Sequence, residues 1–295
     1  MDRALTWSPP YRAISPRPAI QKVFNFHPPK AKIGSIKPID VHVSGGATLW
    51  FMGSIDPSEL WSVILHTING HESASKLQLF SSFISPPSFS VRIALNLKGV
   101  DYECKPVYLF KGEQFQPEYL KINPMGYVPA IVDGDIILAD SSAIMWYLDE
   151  KYPQHPLLPS DFKKKAINYQ ASHVVSSSLQ PILRVPILMY IKEHVGHEQQ
   201  ISWIHKHLEK CFTALEELLK DHAGKYATGD ELFLADVFLA PYVIGYPEKY
   251  NFDMTEFPLL SRLGEEYLKI EAIQGAIPEK QIDFDRSFYY MDVSN

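Results

Sequence analysis

Val128-Pro129-Ala130-Ile131-Val132-Asp133-Gly134-Asp135-Ile136-Ile137-Leu138-Ala139-Asp140-Ser141-Ser142 is the stretch that sets the architecture. Two apolar runs, Ala130 to Val132 and Ile136 to Leu138, flank Asp133-Gly134-Asp135. Asp-Gly between such runs predicts a tight antiparallel hairpin, because glycine accepts the positive φ that the turn demands. Asp140 and Ser141 then open a helix with apolar positions at Ile144, Tyr147 and Leu148. A side-chain oxygen at that point satisfies the helix's free N–H groups. Upstream, Leu77, Leu79 and Phe80 make a short strand, which Pro86 and Pro87 interrupt. Val91, Ala94, Leu95 and Lys98 follow at helical spacing until Gly99. Tyr102 to Leu109 reads as a second strand, so strand, helix and strand form a parallel, right-handed crossover. A short connecting helix leads into the hairpin.

Beyond Tyr152 the pattern is helical. Pro153 to Ser160 is a linker, and Asp161 caps a long helix through Asn168 and Val175, which Pro181 and Pro186 end or kink. Ile204, Leu208, Cys211, Phe212, Leu215, Leu218 and Leu219 form a stripe of helical period. Leu234 to Val243 is apolar nearly all round, which places it at the centre of a helical bundle, and Leu259 to Leu268 adds a further helix.

Residues 1–75 are different in kind. Pro9, Pro10, Pro16, Pro18, Pro28, Pro29 and Pro38 break regular structure, and no acidic residue occurs between Asp2 and Asp40. A basic, acid-poor leader reads as a transit peptide or as a disordered extension. The chain as a whole has 295 residues, a formal net charge of -6, and 46% hydrophobic residues. That charge argues against a nucleic-acid surface, which needs clustered Lys and Arg. Cys104 and Cys211 are the only cysteines, so a disulfide framework is excluded and a reducing compartment is the simpler reading. No apolar run reaches the roughly 20 residues of a membrane span. His194, His197, His205 and His207 lack metal-ligand spacing and read as solvated helix faces, so no metal is expected. Trp146 reads as packing.

Asn123-Pro124-Met125-Gly126-Tyr127-Val128-Pro129, then Asp140-Ser141, then Gly224-Lys225-Tyr226-Ala227-Thr228-Gly229-Asp230 in the helical half, resemble the glutathione transferase family. Val91-Arg92-Ile93-Ala94-Leu95, Leu97-Lys98-Gly99 and Leu157-Leu158-Pro159-Ser160-Asp161 are similar to its zeta class, also called maleylacetoacetate isomerase, and in texture to plant members. The resemblance runs from Lys76 to about Asp283. It implies an α/β thioredoxin-like glutathione-binding domain over 76–153, an all-α helical-bundle substrate domain over 161–283, and a tail over 284–295. It further implies glutathione as cofactor, a homodimer, and a cytoplasmic protein, with organelle targeting by residues 1–75 left open. The family reaction is cis–trans isomerisation of maleylacetoacetate to fumarylacetoacetate in tyrosine and phenylalanine breakdown, or conjugation and dehalogenation of small α-halo acids.

By the same resemblance, the Val128-Pro129 bond is cis and turns the Val128 backbone to glutathione. Asp140 and Ser141 hold the γ-glutamyl carboxylate, and Gln114 also contacts the tripeptide. Alone, Ser141 reads as a helix cap, Pro129 as a loop proline and Gln114 as an exposed amide. The family's Ser-Ser-Cys, whose first serine donates to sulfur, is here Ser85-Pro86-Pro87, and the arginine before it is Ile84. Ser85 is thus the catalytic candidate, and an N-cap is its other reading. Two prolines remove two N–H donors. The family's substrate-gripping arginine corresponds to Lys249, which alone reads as a solvated charge, and the glutamine after the central proline is Tyr242. These departures leave a rival: a catalytically impaired module that binds glutathione, an apolar ligand or a protein.

Overall fold

Leu77, Leu79 and Ser81 alternate inward along β3 (Leu77–Ser81), the central strand of a four-stranded mixed sheet. The computed structural model describes residues 39–42, 48–51 and 76–289. Its sheet runs in the order β4 (Tyr102–Pro106), β3, β5 (Ala130–Asp133), β6 (Ile136–Ala139). β4 lies parallel to β3 with Leu77 opposite Tyr102, as a crossover demands, and β5 lies antiparallel with Phe80 opposite Ala130. The β5–β6 hairpin turns at Gly134, whose φ of 64° is the positive value that its sequence promised.

The crossover helix α1 (Pro86–Leu97) begins on the two prolines, as the N-cap reading of Ser85 requires. The first N–H groups of a helix have no acceptor within it, so proline there costs nothing in hydrogen bonding. The second strand stops at Pro106, short of the expected Leu109, because proline cannot donate to the ladder. Leu109–Lys111 is a 3₁₀ turn instead. The short α2 (Pro117–Leu120) precedes the hairpin, and α3 (Ser141–Lys151) follows it with Ile144, Met145 and Leu148 buried. Trp146 does not pack: it is 65% exposed.

Asp161 caps α4 (Phe162–His173) by accepting from the N–H groups of Lys163 and Lys164. The helix widens into a π-helical segment over Val174–Leu179 before Pro181. Pro186 does not end a helix; it starts α5 (Val185–His194), a second use of proline in a first turn. α6 (His197–Leu219) buries the expected stripe of Ile204, Leu208, Cys211, Phe212, Leu215 and Leu219, with Leu218 only half-buried. α7 (Leu234–Tyr250) is buried almost all round and passes Pro241 and Pro247, seven residues beyond Val243. α8 (Pro258–Tyr267), α9 (Glu271–Gln274) and α10 (Arg286–Tyr289) complete the described chain.

The two halves of the body formed by residues 71–295 are stitched along α1. Arg92 Nε donates to the Ala276 carbonyl at 3.0 Å, and Asn96 Nδ2 to that of Ala272 at 2.9 Å. Lys98 Nζ is buried and spends its protons on Asp149 and on the carbonyls of Tyr152 and His155, fixing the linker. The Leu234 N–H donates to the Leu157 carbonyl at 2.7 Å.

In the N-terminal extension, β1 (Ile39–His42) pairs antiparallel with β2 (Thr48–Phe51), Asp40 opposite Trp50. The rest of that extension, on which the targeting and disorder readings fall, lies outside the described residues. No helix among the described residues is long and apolar enough to cross a membrane.

Candidate active site

Ser85 stands where β3 turns into α1. Its φ and ψ of -87° and 113° are those of an N-cap residue, and its Oγ accepts from the Ser88 N–H at 3.3 Å. Because Pro86 and Pro87 carry no N–H, the Ser88 N–H is the first that the helix offers. That bond uses a lone pair of the hydroxyl and leaves its proton to donate elsewhere. The cap and the donor are therefore compatible roles of one group.

Ser85 is 6% exposed and lines a cavity of about 890 Å³. The prolines form part of the wall and do not fill it. Every residue singled out from the sequence as a binding or catalytic candidate lines this same cavity: Ser85, Gln114, Val128, Pro129, Asp140, Ser141 and Lys249.

The Val128–Pro129 peptide is cis, and both residues are on the wall. The loop before it is held by two side-chain donors. Asn123 Nδ2 and the Tyr119 hydroxyl both donate to the Tyr127 carbonyl, at 2.7 and 2.6 Å. Gly126 has a φ of 66°, and a Cβ there would meet Phe115 at 3.0 Å, so glycine is required twice over.

Asp140 sits at a φ of 76°, a region that costs a non-glycine residue energy and that short polar side chains tolerate best. Its Oδ1 accepts from the N–H groups of Ser142 and Ala143. The start of α3 thus keeps the N–H and hydroxyl of Ser141 for a ligand, rather than its whole first turn. Gln180 Nε2 donates to Ser141 Oγ at 3.5 Å. The amide oxygens of Gln114 and Gln180 are buried on this wall without a hydrogen-bond partner among the described residues. Gln114 is buried, not the exposed amide of its plainer reading.

Lys249 is not solvated either: it is 7% exposed. Its ammonium lies 5.3 Å from the ring centroid of Tyr250 and 5.1 Å from that of Tyr289. Tyr242, next to Pro241, is fully buried on the same wall.

Besides Gln180 and Tyr289, three wall or support residues escaped the sequence reading. Arg184, at the start of α5, places its guanidinium 4.4 Å over the Tyr127 ring at the cavity rim. Arg92 is fully buried behind Ser85, donating to Ser81 Oγ at 2.8 Å and to the Ser82 carbonyl at 3.3 Å. Burial lowers its pKa to about 10, so it remains a cation at neutral pH. Asp283 accepts from the Phe83 N–H at 2.9 Å, two residues before Ser85. A charged residue inside the apolar run Val91 to Leu95 was the available signal for Arg92; Asp283 and Arg184 gave none.

Cys104 is half-buried on β4 and Cys211 is in the core, both free and both with thiol pKa values raised by burial. No group of metal-binding side chains occurs among the described residues. Of the histidines, His205 is no solvated group: its Nε2 lies 2.8 Å from the Tyr250 carbonyl.

The cavity asks for an extended ligand with donors for two amide oxygens, an anionic end at Ser141, and a polar atom facing the Ser85 hydroxyl. Residues 79–156 match the family model for the glutathione S-transferase N-terminal domain, and residues 183–276 that for the C-terminal domain. A zeta-class glutathione S-transferase from Euphorbia esula is 56% identical over 208 residues, covering 70% of this chain and 92% of the relative. A maleylacetoacetate isomerase from Mus musculus is 41% identical over 212 residues, covering 71% and 96%. A solved maleylacetoacetate isomerase from Anaeromyxobacter dehalogenans, with glutathione bound in its active site, superposes with a TM-score of 0.65 at 32% identity, covering 71% of this chain and 98% of that one.

Proposed function

The chain belongs to the zeta class of the glutathione S-transferase family, and from that premise we propose that it is a glutathione-dependent isomerase that converts maleylacetoacetate to fumarylacetoacetate. The observation that carries the reading is the Ser85 hydroxyl, capped onto α1 yet lining the open cavity with its proton free to donate. Ser85, Val128 and Ser141 would hold glutathione, which would supply a thiol nucleophile for the conjugated double bond.

The chain's own groups do the rest. Ser85 donates toward sulfur and so favours the ionised form, which is the nucleophile. The backbone of Val128 lies where an extended peptide can run beside it. Ser141 offers its N–H and hydroxyl to the γ-glutamyl carboxylate at the start of α3, where the helix dipole also favours an anion. Gln114 and Gln180 give their orphaned amide oxygens to N–H groups of the tripeptide. Asp140 acts chiefly through the cap that fixes Ser141. At the far end Lys249 attracts a carboxylate of the acceptor, as a point charge without arginine's bidentate fork. Small α-halo acids fit the same donor arrangement. The two functional parts are the glutathione-binding domain of residues 76–153 and the helical domain of residues 161–283.

The test is calorimetric titration of the purified chain with glutathione, followed by an isomerase assay on maleylacetoacetate. We expect saturable binding and glutathione-dependent turnover. Binding without turnover would leave only the rival reading, a module that holds glutathione without isomerising; absence of binding would overturn both.

The same reading makes the protein a cytoplasmic homodimer. Free cysteines suit a reducing compartment. β6 is an edge strand with Ile136 and Ile137 exposed, and α3 beside it exposes Trp146, large apolar side chains of the kind that subunit interfaces cover. We expect sedimentation to give a dimer, and Trp146→Glu to shift it to monomer; a monomeric parent would sink the assignment.

A further inference from the structure

The matched C-terminal family model ends at residue 276, yet the chain beyond it returns to the cavity. Gln281 Nε2 donates to the Ile277 carbonyl at 2.8 Å and starts the return. Asp283 is 4% exposed and takes the Phe83 N–H. Phe284 meets the Phe83 ring edge-on at 5.5 Å, and Tyr289 stands 6.3 Å from that ring. Tyr289 is 8% exposed, lines the cavity, and puts its ring on the Lys249 ammonium. Its hydroxyl lies 3.5 Å from where a Cβ on Gly245 would be, so it packs on that turn of α7 at ordinary contact distance.

We propose that Tyr289, brought back to the cavity by residues 281–289, forms part of its acceptor-side wall and, with Tyr250, fixes the Lys249 ammonium so that this end selects acceptors bearing carboxylates. The proposal rests on the glutathione reading. Its physical basis is twofold. A ring face holds an ammonium by its quadrupole and removes the rotamer freedom that a lysine otherwise keeps. The Asp283 bond ties this wall to the Phe83–Ser85 loop, so the wall keeps a fixed distance from the Ser85 hydroxyl. Tyr289 is a positioning residue: it acts on the acceptor through Lys249.

The experiment compares two glutathione derivatives on the full chain by calorimetry: S-methylglutathione, neutral beyond sulfur, and S-(1,2-dicarboxyethyl)glutathione, which carries two carboxylates there. We expect Tyr289→Ala to weaken the dicarboxyethyl derivative about 5-fold, in line with one lost cation–π contact, and to leave the methyl derivative unchanged. Tyr289→Phe keeps the ring face and is expected to bind both as the parent does, which separates positioning from simple loss of fold. Equal weakening of both ligands by Tyr289→Ala, no change in either, or tightening of the dicarboxyethyl derivative overturns the proposal. A parent chain that takes neither derivative overturns the glutathione reading and this proposal together.

Discussion

Ser85→Ala is expected to remove the ultraviolet absorbance of bound thiolate at pH 7 and to lower isomerase turnover about 100-fold, while glutathione still binds. A free thiol ionises near pH 8.5, and each unit of lowering takes about 1.4 kcal/mol of preferential binding to the anion. One hydrogen bond to a charged group is worth about 1.5–3 kcal/mol, so the hydroxyl can lower the thiol by one to two units and its loss returns them. The same substitution also removes the cap on the Ser88 N–H, about 1 kcal/mol of stability. Ser85→Asp separates the two effects. It keeps an acceptor for the cap, so its unfolding midpoint should match the parent's. Its carboxylate faces sulfur as a like charge, so turnover should fall as far as in Ser85→Ala. Activity in either variant close to the parent's would take Ser85 out of the mechanism. Pro86→Ser with Pro87→Cys works in the opposite direction. It returns two N–H donors to the start of α1 and is expected to raise the thiol's ionisation constant about 2- to 5-fold.

Asp236 carries the largest effect expected on stability. It is fully buried at the start of α7 and accepts from the Ala227 N–H at 2.7 Å, the Phe233 N–H at 2.9 Å and the Tyr267 hydroxyl at 2.6 Å. It gathers the loop before α7, the cap residue and α8 on one carboxylate. Phe233 has no side-chain oxygen to return the bond, so the motif is a one-sided capping box. Asp236→Ala strands these donors and is expected to cost about 3–5 kcal/mol in urea unfolding. A loss below about 1 kcal/mol would show the donors to be otherwise satisfied.

The group also has its own pH signature. Burial raises its pKa from an ordinary 3.8 to about 6, although each hydrogen bond pulls the other way. Between those two values the folded chain holds a proton that the unfolded chain has released. The stability contributed by this protonation is therefore complete below about pH 4 and is lost as pH rises through about 6. The gap in unfolding free energy between the parent and Asp236→Asn should accordingly widen from pH 7 to pH 5. A constant gap would show that Asp236 is ionised throughout that range.

Hairpin, crossover and helical stripe were legible in the sequence because each is a local pattern: Asp133-Gly134-Asp135 needs one positive φ, and Leu208 to Leu219 keeps one face inward. Pro86 and Pro87 sit at the helix start that the N-cap reading of Ser85 implies, whereas Pro186 reads as a stop and yet begins a helix, since a residue without an N–H suits a first turn as well as an ending. The candidates drawn from matched motifs all line one cavity. Those missed act over distance: Arg92 reaches Ala276, Phe83 meets Asp283, and Arg184 covers Tyr127, contacts between segments remote in the chain that no spacing rule encodes. Lys249 and Trp146 were reversed, the lysine inside and the tryptophan out, because burial of a single residue is decided by neighbours from other elements.

The stitches along α1 bear on how ligands come and go. With Arg92 on Ala276, Asn96 on Ala272, Lys98 on the linker and Phe83 on Asp283, the sheet and the bundle share one frame. A tripeptide therefore meets a cavity whose two sides are already set at their spacing, with the guanidinium of Arg184 resting on the Tyr127 ring in its wall.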